Sequence, residues 1–224
     1  MGADFAELRR KMVDNQIRTV DVTNLSVLEA FLMVPREDFV SQDMRALSYV
    51  DTDIIVSPAQ NGLPASYSMR PAALAKLLQL AAVKTSDVVL DVGANGGYCA
   101  ALLSKLSGAV IALESHKDLA EQAAETLKRN QYDNVVVVHE ALKKGYAVGG
   151  PYDLIFIEGA VEFIPENLFD QMNDQGRLVV VEGCGNSGVA RIYVKEDGII
   201  ASRRAFNLAV KPLPCFLKTP DFIF

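Results

Sequence analysis

Four acids stand where short apolar runs end: Asp91 in "VVLDV", Glu114 closing "AVIALE", Glu140 after "NVVVVH" and Glu158 closing "DLIFIE". The first run passes directly into Gly93, Ala94, Asn95, Gly96 and Gly97, and a stretch of small and apolar residues from near Tyr98 reads as a helix. A glycine turn between strand and helix lets the chain bend tightly, lets a ligand approach the peptide groups, and aims the helix N-terminus at that ligand. Glu114 follows the turn at about the 20-residue spacing where an acid accepts hydrogen bonds from ribose hydroxyls. In an open parallel sheet, ligands bind outside the carboxyl ends of the strands, so all four acids are expected to line one pocket. The chemistry implied is that of a nucleoside-bearing cofactor.

The turn itself separates two such cofactors. A dinucleotide brings a pyrophosphate to the helix N-terminus and goes with G-x-G-x-x-G; here the spacing is G-x-x-G-G, and Asp91 stands two residues before the first glycine. A carboxylate so close repels a pyrophosphate but suits the ammonium and sulfonium charges of S-adenosylmethionine. The expected cofactor is therefore S-adenosylmethionine, held by Asp91, Gly93, Asn95, Gly97, Glu114, Glu140 and Glu158. A nicotinamide-linked oxidoreductase fits these residues less well.

The elements that position these residues follow from periodicity. Phe5, Leu8, Met12, Val13 and Ile17 recur at helical spacing, and Leu25, Leu28, Phe31 and Leu32 do so again before Pro35. From Tyr49 to Arg70 the pattern is irregular and broken by Pro58, Gly62 and Pro64, which predicts a long loop. Pro71 suits a first helical position, and "AALAKLLQLA" continues that helix. After Asp87, continuous Val/Ile/Leu runs alternate with helical stretches, as in a parallel sheet covered on both faces. "ARIYVKEDGIIASRRAF" alternates around "EDG" and predicts an antiparallel hairpin at the end of that sheet. The chain is expected to form a single domain over 1–224, with N-terminal helices and a substrate-side loop in 1–80 and a cofactor-binding α/β core in 81–224.

Bulk properties exclude several classes. The formal net charge of -6, from 28 acids against 22 bases, argues against a nucleic-acid partner. No stretch reads as a signal peptide or a membrane span, so a cytoplasmic protein with no membrane partner is expected. Cys99, Cys184 and Cys215 are widely spaced and lack a metal-ligand pattern with the histidines; no metal site is expected, and buried reduced thiols are.

With these residues in hand, three stretches carry a resemblance: "MVDNQIRTVDVTNLSVLEAFLMVPREDFV", "LDVGANGGYCAALLSKL" and "YDLIFIEGAVEFIPENLFDQMNDQGRLVVV". They resemble the protein-L-isoaspartate O-methyltransferase family over most of the chain. The resemblance implies a Rossmann-like class I methyltransferase fold: a mostly parallel seven-stranded sheet with an antiparallel C-terminal hairpin and N-terminal helices. It also implies S-adenosylmethionine as cofactor and a protein or peptide substrate whose free carboxylate is methylated at damaged isoaspartyl sites. Three departures stand out. The family turn resembles E-I-G-T-G-S-G, and Asn95 replaces its middle glycine; Asn enters the left-handed region readily, so the turn is expected to survive. The family's adenine-side G-D-G is His139-Glu140-Ala141 here, which keeps an acid. The family loop resembling G-Q-T-I-S-Q-P has its Ser at the substrate carboxylate; aligning back from Pro71 puts Met69 there, with Ser68 one residue away and Arg70 as a cation that could hold a carboxylate. Activity on isoaspartyl peptides is therefore expected to be weak or absent. The second reading is a non-catalytic or re-purposed S-adenosylmethionine-binding module of the same fold.

Overall fold

The computed structural model describes residues 4–60, 62 and 64–218. Helix α1 (Phe5–Met12) opens on Asp4, whose carboxylate accepts the Glu7 N–H at 3.1 Å; α2 (Leu25–Met33) opens on Asn24, which caps Val27 in the same way. These caps satisfy amides that have no partner within the helix. The apolar spacing predicts helix through Ile17, but α1 gives way to a π turn at Val13–Ile17 and a 3-10 turn at Arg18–Val20. The wider turn changes the rotation per residue, and Met12, Val13 and Ile17 all end fully buried.

The Tyr49–Arg70 segment is more ordered than its sequence suggests. It contains an antiparallel ribbon of β1 (Ile54–Ser57) and β2 (Ser66–Ser68), too short to show a period against the prolines and glycine around it. Asn61 and Leu63 of this segment lie outside the described residues. Helix α3 (Pro71–Ala81) starts at the proline as predicted.

The main sheet holds β3 (Val88–Val92), β4 (Ala109–Glu114), β5 (Val135–His139), β6 (Tyr152–Val161), β7 (Met172–Glu182), β8 (Val189–Glu196) and β9 (Ile199–Asn207), in the order β5-β4-β3-β6-β7-β8-β9. Strands β3 to β7 pair in parallel, and β8 and β9 add the expected antiparallel hairpin. Helices α4 (Tyr98–Leu106), α5 (Lys117–Arg129) and the short α6 (Glu166–Asp170) fall between strands. Neighbouring residues of β3 serve different layers. Val89 packs with α3, α4 and the N-terminal helices, while Leu90 packs with Tyr152, Leu178 and Phe216 on the other face. That is why the central strands read as unbroken apolar runs. Among the described residues no helix is long and apolar enough to cross a membrane.

The chain runs outward from β3 to β5 and returns to β6 on the other side of β3. This reversal opens a crevice at the carboxyl ends of β3 and β6, the place where such sheets receive ligands.

Candidate functional site

The turn after β3 takes the shape its residues allow. Gly93, Asn95 and Gly97 have φ of 86°, 49° and 89°, so Asn95 occupies the left-handed region predicted for it. Its side chain holds the conformation: Nδ2 donates to the Gly93 carbonyl at 2.6 Å. Its backbone N–H donates to Oε2 of Glu114 at 2.8 Å. At Gly97 a Cβ would come within 3.2 Å of Ala123 and Leu127, so glycine there also lets α5 pack against the start of α4.

Beside this turn lies a cavity of about 220 Å³. Of the residues predicted to hold a cofactor, Gly93, Asn95, Glu114 and Glu158 line it. Asp91, Gly97 and Glu140 do not. Asp91 is completely buried, with its carboxylate, that of Glu158 and the Cys99 thiol within 4.8 Å of one another. Glu140 accepts from the Ala141 N–H at 2.8 Å and from Lys144 Nζ at 3.1 Å, and these donors hold its carboxyl below the usual range.

Glu158 owes its position to an irregularity in β6. The pairing of β6 with β7 shifts register between Phe156 and Ala160, which releases the residues between from the ladder; such bulges re-aim side chains beside sites. The next residue, Gly159, leaves room for the C-terminal segment, since a Cβ there would meet Leu213 at 2.6 Å. That segment is pinned on both sides of Pro212: the Ala160 N–H donates to the Lys211 carbonyl and the Leu213 N–H to the Ala160 carbonyl, both at 2.9 Å. It thereby brings Lys211 to the cavity wall, its ammonium 5.1 Å from the centre of the Tyr67 ring.

Two acids, Glu114 and Glu158, line the cavity. Burial pushes the Glu114 carboxyl up, against the opposing pull of the His116, Asn95 and Ser115 amides. Burial pushes Asp91 up to about 7, and the Glu114 charge adds to it. Glu158 is raised well above the usual range by burial and by Asp91, and burial likewise pushes the Cys99 thiol up. Cys99 is buried as predicted, whereas Cys184 is half-buried and Cys215 exposed.

The structure leaves Ser68, Met69 and Arg70, which the sequence register predicts at the substrate carboxylate, out of the lining of this cavity. Ser68 and Met69 are buried, and Met69 belongs to the apolar core. Arg36, itself fully buried, holds them there: its Nη2 donates to the Met69 carbonyl at 3.0 Å and lies 3.5 Å from Ser68 Oγ. Its guanidinium sits over the Tyr98 ring. Arg70 is the residue before α3, with its N–H donated to Asp53 at 2.9 Å. The loop residues that do line the cavity are Pro64, Ala65, Ser66 and Tyr67. Ser66 escaped the sequence reading because Pro71 was used to fix the loop register, and Pro71 serves α3 as its first residue. Lys211 carries no local motif; only the long-range pairing with Ala160 brings it to the site.

The model of the family described as protein-L-isoaspartate(D-aspartate) O-methyltransferase matches residues 7–213. A protein-L-isoaspartate O-methyltransferase of Opitutus terrae is 34% identical over 191 residues, covering 85% of this chain and 79% of that protein. One from Ignicoccus hospitalis is 33% identical over 212 residues, covering 92% and 97%. Among solved structures, a protein-L-isoaspartate O-methyltransferase superposes with a TM-score of 0.81 at 24% identity, over 92% of this chain and 65% of that one. A Plasmodium falciparum protein solved in complex with S-adenosyl-L-homocysteine gives 0.76 at 21%, over 95% and 99%. With the turn, the strand-end acids and helix α2 all inside the matched region, this chain belongs to the protein-L-isoaspartate(D-aspartate) O-methyltransferase family.

Proposed function

We propose that the protein transfers a methyl group from S-adenosylmethionine to a free carboxylate of a damaged protein, at isoaspartyl sites. The observation that carries this reading is the cavity at the β3/β6 reversal, lined by the buried acids Glu114 and Glu158 and by Lys211. The acids fit a cationic cofactor: Glu158 lines the cavity, and its Oε1 is buried without a donor among the described residues. Glu114 would hold the ribose, Gly93 and Asn95 the face of the turn, and Glu158, with Asp91 beside it, the positive charge. Bound there, the cofactor supplies an electrophilic methyl group on a sulfonium. The relatives' enzyme names and the complex of the Plasmodium falciparum protein support this over a non-catalytic module.

On the acceptor side the chain has little chemistry to perform. A carboxylate is already ionised at neutral pH, so no general base is needed and the protein's task is orientation. Lys211 would attract the carboxylate, and the hydroxyl of Ser66, a half-buried residue lining the same cavity, would donate a positioning hydrogen bond. In this reading Ser66 takes the part that alignment assigned to Met69, and the expectation of weak isoaspartyl activity loses its basis. Parts 1–80 and 81–224 would act as one domain, supported by an apolar core that runs from Met12 through α3 and α4 to Val210.

Calorimetric titration with S-adenosylmethionine, S-adenosylhomocysteine and NAD tests the cofactor half of the reading. Binding of both adenosyl ligands and no heat with NAD is expected. Binding of NAD with no response to either adenosyl ligand would overturn it.

A further inference from the structure

Asp91 and Glu158 bring their carboxylates together at the carboxyl ends of β3 and β6, with the Cys99 thiol beside them. Both oxygens of Asp91 and Oε1 of Glu158 are buried without a hydrogen-bond partner among the described residues, and the two residues are 0% and 8% exposed. Glu158 also forms part of the cavity wall, and Asp91 lies beside it within 4.8 Å. Two ionised carboxylates so close and so dry cannot coexist without a counter-charge, and the cheapest one available is a proton. Burial accordingly raises both groups, Asp91 to about 7.

We propose that Asp91 and Glu158 share one proton in the ligand-free protein and release it when a sulfonium cation enters, so that Glu158 favours the charged methyl donor over its neutral thioether product. The inference rests on the cofactor reading above. On donor binding, one carboxyl O–H bond of the pair breaks, the electron pair stays on oxygen and the proton leaves to solvent. After methyl transfer the ligand carries no sulfonium charge, and the pair takes a proton back from solvent. Product is then held against an acid pair that no longer needs it.

Cys99 on α4 lies against this pair, and Glu114 at the end of β4, His116 just after it, and Lys211 and Cys215 on the C-terminal segment line the same cavity as Glu158. Glu114 already accepts two backbone N–H groups, from Asn95 and His116, at 2.8 Å each. Cys99 is held protonated by burial. His116 lines the same cavity, with its Nε2 buried and without a partner among the described residues, and its substitution is therefore the control.

Titrating the full-length protein with S-adenosylmethionine and with S-adenosylhomocysteine, in buffers of different ionisation enthalpy between pH 6 and 8, counts the protons directly. The donor should release up to about one proton more than the thioether. That difference should vanish in Glu158→Gln and persist in His116→Gln. The affinity ratio of donor to product should fall about tenfold in Glu158→Gln, the equivalent of one unit of pKa. Equal proton release by the two ligands in the wild-type protein would overturn the inference while leaving the cofactor reading intact. So would a difference that survives Glu158→Gln, or one lost in His116→Gln. Folded wild-type protein that binds neither ligand would instead sink the cofactor reading, and this inference with it. If Glu158→Gln does not fold, Glu158→Thr supplies the same comparison, and the wild-type difference remains decisive alone.

Discussion

Replacing Asn95 by valine and by glycine should separate the turn's backbone from its side chain. At φ 49° a β-branched residue pays for a left-handed conformation, about 2 kcal/mol. Either substitution also removes the Nδ2 hydrogen bond to the Gly93 carbonyl at 2.6 Å, a buried bond contributing about 1 kcal/mol. Valine should therefore cost about 3 kcal/mol in all, and for a chain of 224 residues that lowers Tm by about 6–12 °C. Glycine escapes the strain but adds freedom to the unfolded chain, so it should cost roughly half as much. The distortion in Asn95→Val also pulls the Asn95 N–H away from Glu114, and S-adenosylmethionine affinity should fall about tenfold, a cost similar to one hydrogen bond. Differential scanning calorimetry and equilibrium titration read the two effects separately. Equal Tm and equal affinity in the two variants would refute the assignment of a left-handed, side-chain-braced Asn95.

Glu114→Ala should weaken cofactor binding by about 1 to 3 kcal/mol, since it removes a charged acceptor; unchanged affinity would place the ribose elsewhere. Lys211→Met should raise the KM for an isoaspartyl peptide several-fold with cofactor Kd unchanged, because this cavity-lining cation is assigned to the acceptor carboxylate; a change confined to cofactor Kd would assign it to the cofactor's own carboxylate. Stability should depend on pH through the acid pair. Asp91 sits at about 7 when folded against about 3.9 unfolded, so the folded state binds more protons between those values. The stabilisation is full below about pH 4 and is lost as pH rises through about 7, by up to about 1.4 kcal/mol per pH unit. Tm of the ligand-free protein measured across pH 4 to 8 should fall less steeply in Glu158→Gln, and parallel curves would argue against a shared proton.

What was legible in the sequence is what local pattern encodes. The runs around Leu90 and Ile111 announced buried parallel strands because they lie in a sheet covered on both faces, and "EDG" announced the hairpin between β8 and β9. Asn95 could be placed at positive φ because its residue type and its flanking glycines constrain the same few dihedrals. The ribbon of β1 and β2 was missed because a strand of three or four residues carries almost no period. Ser66 and Lys211 were missed for a different reason. Their place depends on how Arg36 pins the Met69 carbonyl and on how Gly159 admits the C-terminal segment, contacts between residues far apart in the chain. The alignment that put Met69 at the acceptor followed Pro71, whose position is fixed by helix α3 and carries no information about the loop before it. Met69→Ser would place a hydroxyl in the apolar core, so it should lower stability and raise no isoaspartyl activity.

The most direct test is methyl transfer itself. The full-length protein, labelled S-adenosylmethionine and a peptide containing one isoaspartyl residue should yield a base-labile methyl ester on that residue, while the matched aspartyl peptide stays unlabelled. Ser66→Ala should slow this transfer by about 10- to 100-fold, the loss of one hydrogen bond to a charged group. Folded protein that binds the cofactor yet labels neither peptide would contradict the account.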